Sequence, residues 1–150
     1  MEEVKSKMGI SFRDLEVWQL SRDLAVEVYD LSRNFPDSEK FGLSSQLRRA
    51  AVSVSSNIAE GHGRRGDNQF AYFLQVALGS LAETESLVEV AAAIGLMPHD
   101  GVGTLRASST RLGVKLNNLL AAVNRRRVSE DVEPYDPSAP SDPSPQPSST

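Results

Sequence analysis

Apolar residues recur at three- and four-residue steps along most of this chain, in four runs separated by glycine and proline. Leu20, Leu24, Val28, Leu31 and Phe35 form the first stripe, widened by Trp18, Ala25 and Tyr29. This period places side chains on one helical face. Ser11 and Asp14 read as a capping pair, because a hydroxyl accepts from the first free amides and an acid suits the positive helix end. The first helix is therefore predicted to begin near Ser11. It stops before Pro36, which disfavours helical geometry in Phe35, and residues 37–42 make a connector.

The second stripe is Leu43, Leu47, Ala51, Val54 and Ile58, in a helix starting near Leu43 to Ser45. Gly61 is its predicted stop, ahead of a basic loop over residues 62–66. Asp67 is placed to cap the third helix, whose stripe is Phe70, Leu74, Ala77, Leu81, Val88 and Ala91. Gly95 and Pro98 then end it. The fourth helix falls between Asp100 and Arg127, with Val102, Leu105, Ser109, Leu112, Leu116, Leu119 and Val123 facing inward. Each helix is about 20 to 28 residues, or about 30 to 40 Å long. No segment alternates as a strand does. Four amphipathic helices with short connections predict an all-α fold, an antiparallel up-down four-helix bundle with left-handed packing.

Composition changes sharply near the end. From Val128 onward there is no Lys or Arg, while Pro, Ser and acids dominate. Glu130, Asp131, Glu133, Asp136 and Asp142 carry the acidity, so a net charge of -4 for the chain leaves the part before Val128 near neutral, about +1. The tail has too little apolar surface to offset its ordering entropy. The chain is thus divided into an N-terminal arm (1–10), a four-helix bundle (11–127) and a disordered acidic, Pro/Ser-rich tail (128–150). Cysteine is absent, which excludes disulfides, thiolate metal sites and a cysteine nucleophile. No stretch approaches the roughly 18 apolar residues of a membrane span, and the N-terminus has no signal-peptide core. A cytoplasmic protein without membrane association is expected.

Catalytic constellations are not evident. His62 and His99 are the two histidines, both expected in loops without a second ligand at helical spacing, and bundle metal sites need several convergent ligands. Glu85 and Glu89 read as a solvated face. The Gly61–Gly66 run lacks the Gly-Lys-Ser/Thr ending of a phosphate loop and follows a helix rather than a strand. No enzyme, cofactor or metal is expected.

Arginines supply the remaining chemistry. Arg49, Ser53, Ser56 and Glu60 are spaced by four, three and four, so they share a face of the second helix. In a hairpin with the third helix, Arg49 lies near Gly79 and within reach of Glu83, a forked ion pair that arginine makes well. Gly79, Ser80 and Ala82 are small enough to let a neighbouring backbone approach. A structural polar layer is the first reading of this group, with a subunit contact and direct ligand binding as the alternatives. Asn57 sits beside the core stripe, where one polar residue can set register. Arg64 and Arg65 occupy the turn after the second helix, and Arg125, Arg126 and Arg127 end the fourth. We expect these as two separate basic patches at opposite ends of the bundle, with Arg106, Arg111 and Lys115 adding charge along the fourth helix. Such patches are the footprint of phosphate binding, although basic helix ends also complement the helix dipole.

Three segments carry a resemblance: S-F-R-D-L-E-V-W near the start, F-P-D-S-E-K-F-G-L-S-S-Q-L-R-R-A-A-V-S-V-S-S-N-I-A-E-G in the middle, and F-L-Q-V-A-L-G-S-L-A-E-T-E in the third helix. Together they resemble the 23S rRNA-intervening sequence proteins, bacterial four-helix bundles, in order over about Ser11 to Arg125. The resemblance implies kinship with the accessory protein of diversity-generating retroelements, a pentamer with a basic surface that binds nucleic acid and a reverse transcriptase. It implies no enzymatic activity. Arg48, Arg49, Asn57, Glu60, Gly61, Gly79, Ser80 and Glu83 match the family pattern and resemble fold or assembly residues. Those relatives are strongly basic, whereas this body is nearly neutral.

The expectation is a non-enzymatic homo-oligomer, a pentamer by resemblance, that binds RNA or DNA through its arginines as an accessory factor. The alternative is a protein-protein scaffold with no nucleic-acid role. Oligomerisation is also expected from wide apolar stripes, with Trp18 beside Leu20, Phe73 beside Leu74 and Leu119 beside Leu120.

Overall fold

A computed structural model describes residues 10–39 and 42–131. Four helices run through it: α1 (Glu16–Ser32), α2 (Leu43–Gly63), α3 (Asp67–Ala93) and α4 (His99–Asp131). Each packs on two neighbours, in the cyclic order α1–α2–α3–α4, and diagonal helices make no close backbone approach. This is the antiparallel up-down bundle expected from the stripes. The α2–α3 hairpin is its most extensive contact.

The inward stripes of α2, α3 and α4 are those read from the period: Leu47, Ala51, Val54 and Ile58, then Phe70, Leu74, Ala77, Leu81, Val88 and Ala91, then Leu105, Leu112, Leu116 and Val123 are all buried. In α1 the stripe is rotated. Val17, Ser21, Leu24, Val28 and Ser32 face the core, whereas Leu20, Ala25 and Leu31 pack along its edge. Two serines occupy buried sites because each hydroxyl bonds to its own helix: Ser21 Oγ donates to the Trp18 carbonyl at 2.7 Å and Ser32 Oγ to that of Tyr29 at 3.4 Å. Hydropathy alone points to the leucines instead.

Helix boundaries correct several expectations. Ser11 and Asp14 do form a reciprocal capping box, but over a short 3-10 turn at Phe12–Asp14. Leu15 is then extended and α1 begins at Glu16. Asp67 is the first residue of α3 rather than its cap, which is Gly66. Gly61 does not end α2, which continues to Gly63. It is a contact glycine: a Cβ there would lie 2.7 Å from Phe73 Cβ and 3.3 Å from Phe70 Cδ2, so α2 and α3 approach too closely for any side chain. Gly95 does end α3, with φ +81°. Leu96 N–H donates to the Ala91 carbonyl at 2.9 Å and Gly95 N–H to that of Ala92 at 3.1 Å, the paired bonds of a Schellman stop.

α4 does not end at Arg127 but continues through Asp131. No glycine or proline interrupts the chain between Gly113 and Pro134, so nothing local stops the helix earlier. Residues 128–131 are therefore helical. The rest of the expected tail, and the arm up to residue 9, lie outside the described residues.

Candidate functional site

An up-down bundle brings the end of α4 to the same end as the α2–α3 turn, since α2 and α4 run in the same direction. Arg126 Nε lies 3.0 Å from the Asp67 carboxylate, and Arg127 Nε donates to Asn68 Oδ1 at 2.7 Å. Asp67 and Asn68 directly follow the Arg64–Gly66 turn. The two basic patches expected at opposite ends are thus one cluster. They meet because α4 runs antiparallel to α3 and so returns to the end where α3 begins.

Within this cluster the arginines differ. Arg64 pairs with Glu60 at 2.8 Å, one helical turn away, and its guanidinium lies 5.5 Å from the centre of the Phe73 ring. Arg127 also bonds Asn124 at 2.9 Å. Arg126 faces Asp67, whose side chain is only 6% exposed. Arg65 and Arg125 are exposed, and no carboxylate pairs with either among the described residues. Among the described residues, these five arginines face two carboxylates, Glu60 and Asp67.

Charges along α4 are arranged otherwise. Arg106 grips Glu89 of α3 with both ends of its fork, Nε to Oε1 and Nη2 to Oε2, each at 2.6 Å. Those bonds hold the Glu89 carboxyl below the ordinary glutamate value and raise that of Arg106. Arg111 and Lys115 share Glu16 of α1, at 3.9 and 3.4 Å. These three cations stitch α4 to its neighbours.

The second group lies at the α2–α3 seam. No ion pair or hydrogen bond joins Arg49 to Glu83, although both line one groove of about 660 Å³ with Tyr29, Gln46, Val52 and Ser56. The polar layer expected there is made of shorter side chains. Ser53 Oγ and Ser80 Oγ are 2.8 Å apart across the seam. Asn57 Nδ2 donates to the Ser53 carbonyl at 2.7 Å and to its Oγ at 3.0 Å. Thr84, fully buried, donates to the Ser80 carbonyl at 2.8 Å. A long guanidinium is not needed, because helices held this close by Gly61 let two serines meet directly. Arg48 turns towards α1 instead: its Nε donates to Ser32 Oγ at 2.8 Å and its guanidinium lies 4.7 Å from the centre of the Tyr29 ring.

Leftover apolar surface is not where adjacent residues suggested. Leu74 and Leu119 are buried, and Trp18, Leu20 and Leu120 pack against the core. The exposed apolar side chains include Tyr72 (59%) and Val90 (47%) on α3. Gly79 stands between them, exposed, with nothing within 4 Å of where its Cβ would be. Among the described residues no three His, Cys, Asp or Glu side chains group to hold a metal ion, and no helix is long and apolar enough to cross a membrane.

The chain matches the 23S rRNA-intervening sequence protein family over residues 13–118. It belongs to that family. No curated protein matches the chain. A solved structure of similar fold is a protein of unknown function from the S23 ribosomal protein family of Bacteroides thetaiotaomicron, 24% identical, with a TM-score of 0.65, covering 70% of this chain and 95% of that one. The match to the 23S rRNA-intervening sequence family takes in all of α1, α2 and α3 and stops within α4, at residue 118. Arg125, Arg126 and Arg127 therefore lie beyond the matched span, whereas Arg64 and Arg65 lie inside it.

Proposed function

We propose that this member of the 23S rRNA-intervening sequence family is a non-enzymatic, nucleic-acid-binding accessory protein that grips phosphates with one end of its bundle. The observation that carries this reading is the convergence of Arg125–Arg127 on the Arg64–Arg65 turn through the Asp67 and Asn68 contacts. Clustered arginines suit phosphate oxygens through their forked donors. Arg106, Arg111 and Lys115 leave the binding set, because they precede Arg125 on α4 by ten residues or more, about 15 Å along the helix, and are held there by Glu89 and Glu16 of other helices.

The test is a titration of single-stranded RNA and duplex DNA at two salt concentrations. Three to five phosphate contacts predict a log-log salt slope of about -2.7 to -4.5 on duplex DNA. Reversing Arg65 and Arg125 to glutamate lowers the affinity and flattens the slope, and shortening the chain after Asp131 tightens binding if the acidic segment competes. Absence of binding at low salt, or binding indifferent to both reversals, sinks the proposal.

A protein-assembly role is the second reading, favoured by α3. Tyr72, Gln75, Gly79, Ala82, Ser86 and Val90 are exposed at helical spacing on one face. A glycine inside a helix costs about 0.5–1 kcal/mol relative to alanine, and no close contact within the chain uses the room at Gly79. A second subunit lying on this face accounts for it; the number five comes from the resemblance alone. A native mass equal to the 16.3 kDa chain at micromolar concentration rules this reading out.

A further inference from the structure

The arginine end of the bundle also carries a solvent-facing aromatic pair. Tyr72, 59% exposed, stands one helical turn after Asn68 on α3 and shares its face. Asn68 accepts from Arg127 Nε at 2.7 Å. The Tyr72 ring meets that of Phe73 edge to face, with centroids 5.1 Å apart and planes at 81°. The Arg64 guanidinium lies 5.5 Å from the centre of the Phe73 ring. The pair is thus flanked by Arg64 on one side and, one turn back along α3, by the Asn68–Arg127 contact.

Isolated exposed aromatics are ordinary, but this one has a specific setting. An edge-to-face contact covers at most one face of either ring, so a face of Tyr72 stays open. α2 packs against Phe73 Cβ at Gly61, so the pair stands on a fixed helix contact rather than on a loop. The surrounding surface favours an anion. From Asn68 to Ala82 the chain carries no charged residue. Glu60 faces Arg64 and Asp67 faces Arg126, whereas Arg65 and Arg125 pair with no carboxylate among the described residues.

We propose that this end takes single-stranded nucleic acid, with an unpaired base stacked on Tyr72 while the flanking phosphates lie on Arg65, Arg125 and their neighbours. Every base has an aromatic face, so a ring set among arginines binds a strand without reading its sequence. In a duplex those faces are covered by the neighbouring base pairs, and reaching them costs unstacking. A duplex therefore meets the arginines alone. The single-strand contact rests on the phosphate-gripping reading of the same end, and Tyr72 adds to it the form of nucleic acid that fits.

The probes are a labelled oligothymidylate of about 12 nucleotides, the same strand with abasic sugars, and a duplex of equal length. Each is titrated against the full chain and followed by fluorescence anisotropy at two salt concentrations. The intact strand is expected to bind about tenfold tighter than the abasic strand, the worth of one stacked base. Tyr72→Ala removes that advantage and leaves the salt slope unchanged, because stacking neutralises no phosphate. Tyr72→Phe keeps it, since the ring and not the hydroxyl makes the contact. Equal binding of intact and abasic strands overturns the proposal and leaves the arginine grip standing. So does a duplex as sensitive to Tyr72→Ala as the single strand. No binding of any probe at low salt overturns both. Tyr72 also belongs to the exposed face of α3, so the native mass of Tyr72→Ala is measured alongside. If the mass falls, that variant reports assembly, and the abasic comparison on the unaltered chain decides. An oligouridylate of the same length, run in parallel, separates RNA from DNA as the source of the strand.

Discussion

Arg126 Nε sits 3.0 Å from the Asp67 carboxylate, tying the last turns of α4 to the first turn of α3. Asp67 is nearly enclosed while Arg126 remains 40% exposed, so the two partners are not equivalent. Arg126→Ala strands a buried carboxylate and should cost about 1–3 kcal/mol. Asp67→Asn leaves only an exposed arginine and should cost less. Urea unfolding of both variants checks the order, and a reversed order refutes the asymmetry.

Two helical glycines should respond oppositely to alanine. At Gly61 the added methyl meets Phe73 Cβ at 2.7 Å, and overpacking of this kind costs about 1–3 kcal/mol. Gly79 faces open space, so alanine there should stabilise the isolated chain by about 0.5–1 kcal/mol. Thermal unfolding reads both. If α3 is a subunit contact, Gly79→Ala also lowers the native mass, measured by light scattering.

The Ser53–Ser80 contact predicts coupled losses. Each single change to alanine should cost about 1 kcal/mol, because each removes one partner of a shared bond at 2.8 Å. The double variant should lose less than the sum. Strict additivity in denaturant melts is the outcome that excludes coupling across the seam.

Glu89 gives a pH prediction. Its carboxyl is held below the ordinary glutamate value by the side-chain bonds from Arg106. A depressed carboxylate contributes stability that is fully present above its unfolded value and is lost as pH falls through the lowered folded value. NMR titration of the side-chain carbon should therefore show a midpoint below that of a free glutamate, moving up in Arg106→Gln. An unchanged midpoint argues against the fork.

What the sequence determined by itself follows from the helical period. Residues three and four apart share a face whatever surrounds them, so the stripes of Leu47–Ile58, Phe70–Ala91 and Val102–Val123, the Gly95 stop and the bundle were legible. Ser21 and Ser32 were not, because their burial depends on a hydroxyl finding its own helix carbonyl and not on hydropathy. The Ser53–Ser80 bond and the space beside Gly61 were decided only by how closely two distant segments approach. So was the fate of the arginines: Arg106 meets Glu89 and Arg127 meets Asn68, 17 and 59 residues away. Local spacing cannot specify which carboxylate neutralises which cation, since ion pairing is a short-range event between surfaces that only the packed bundle brings together.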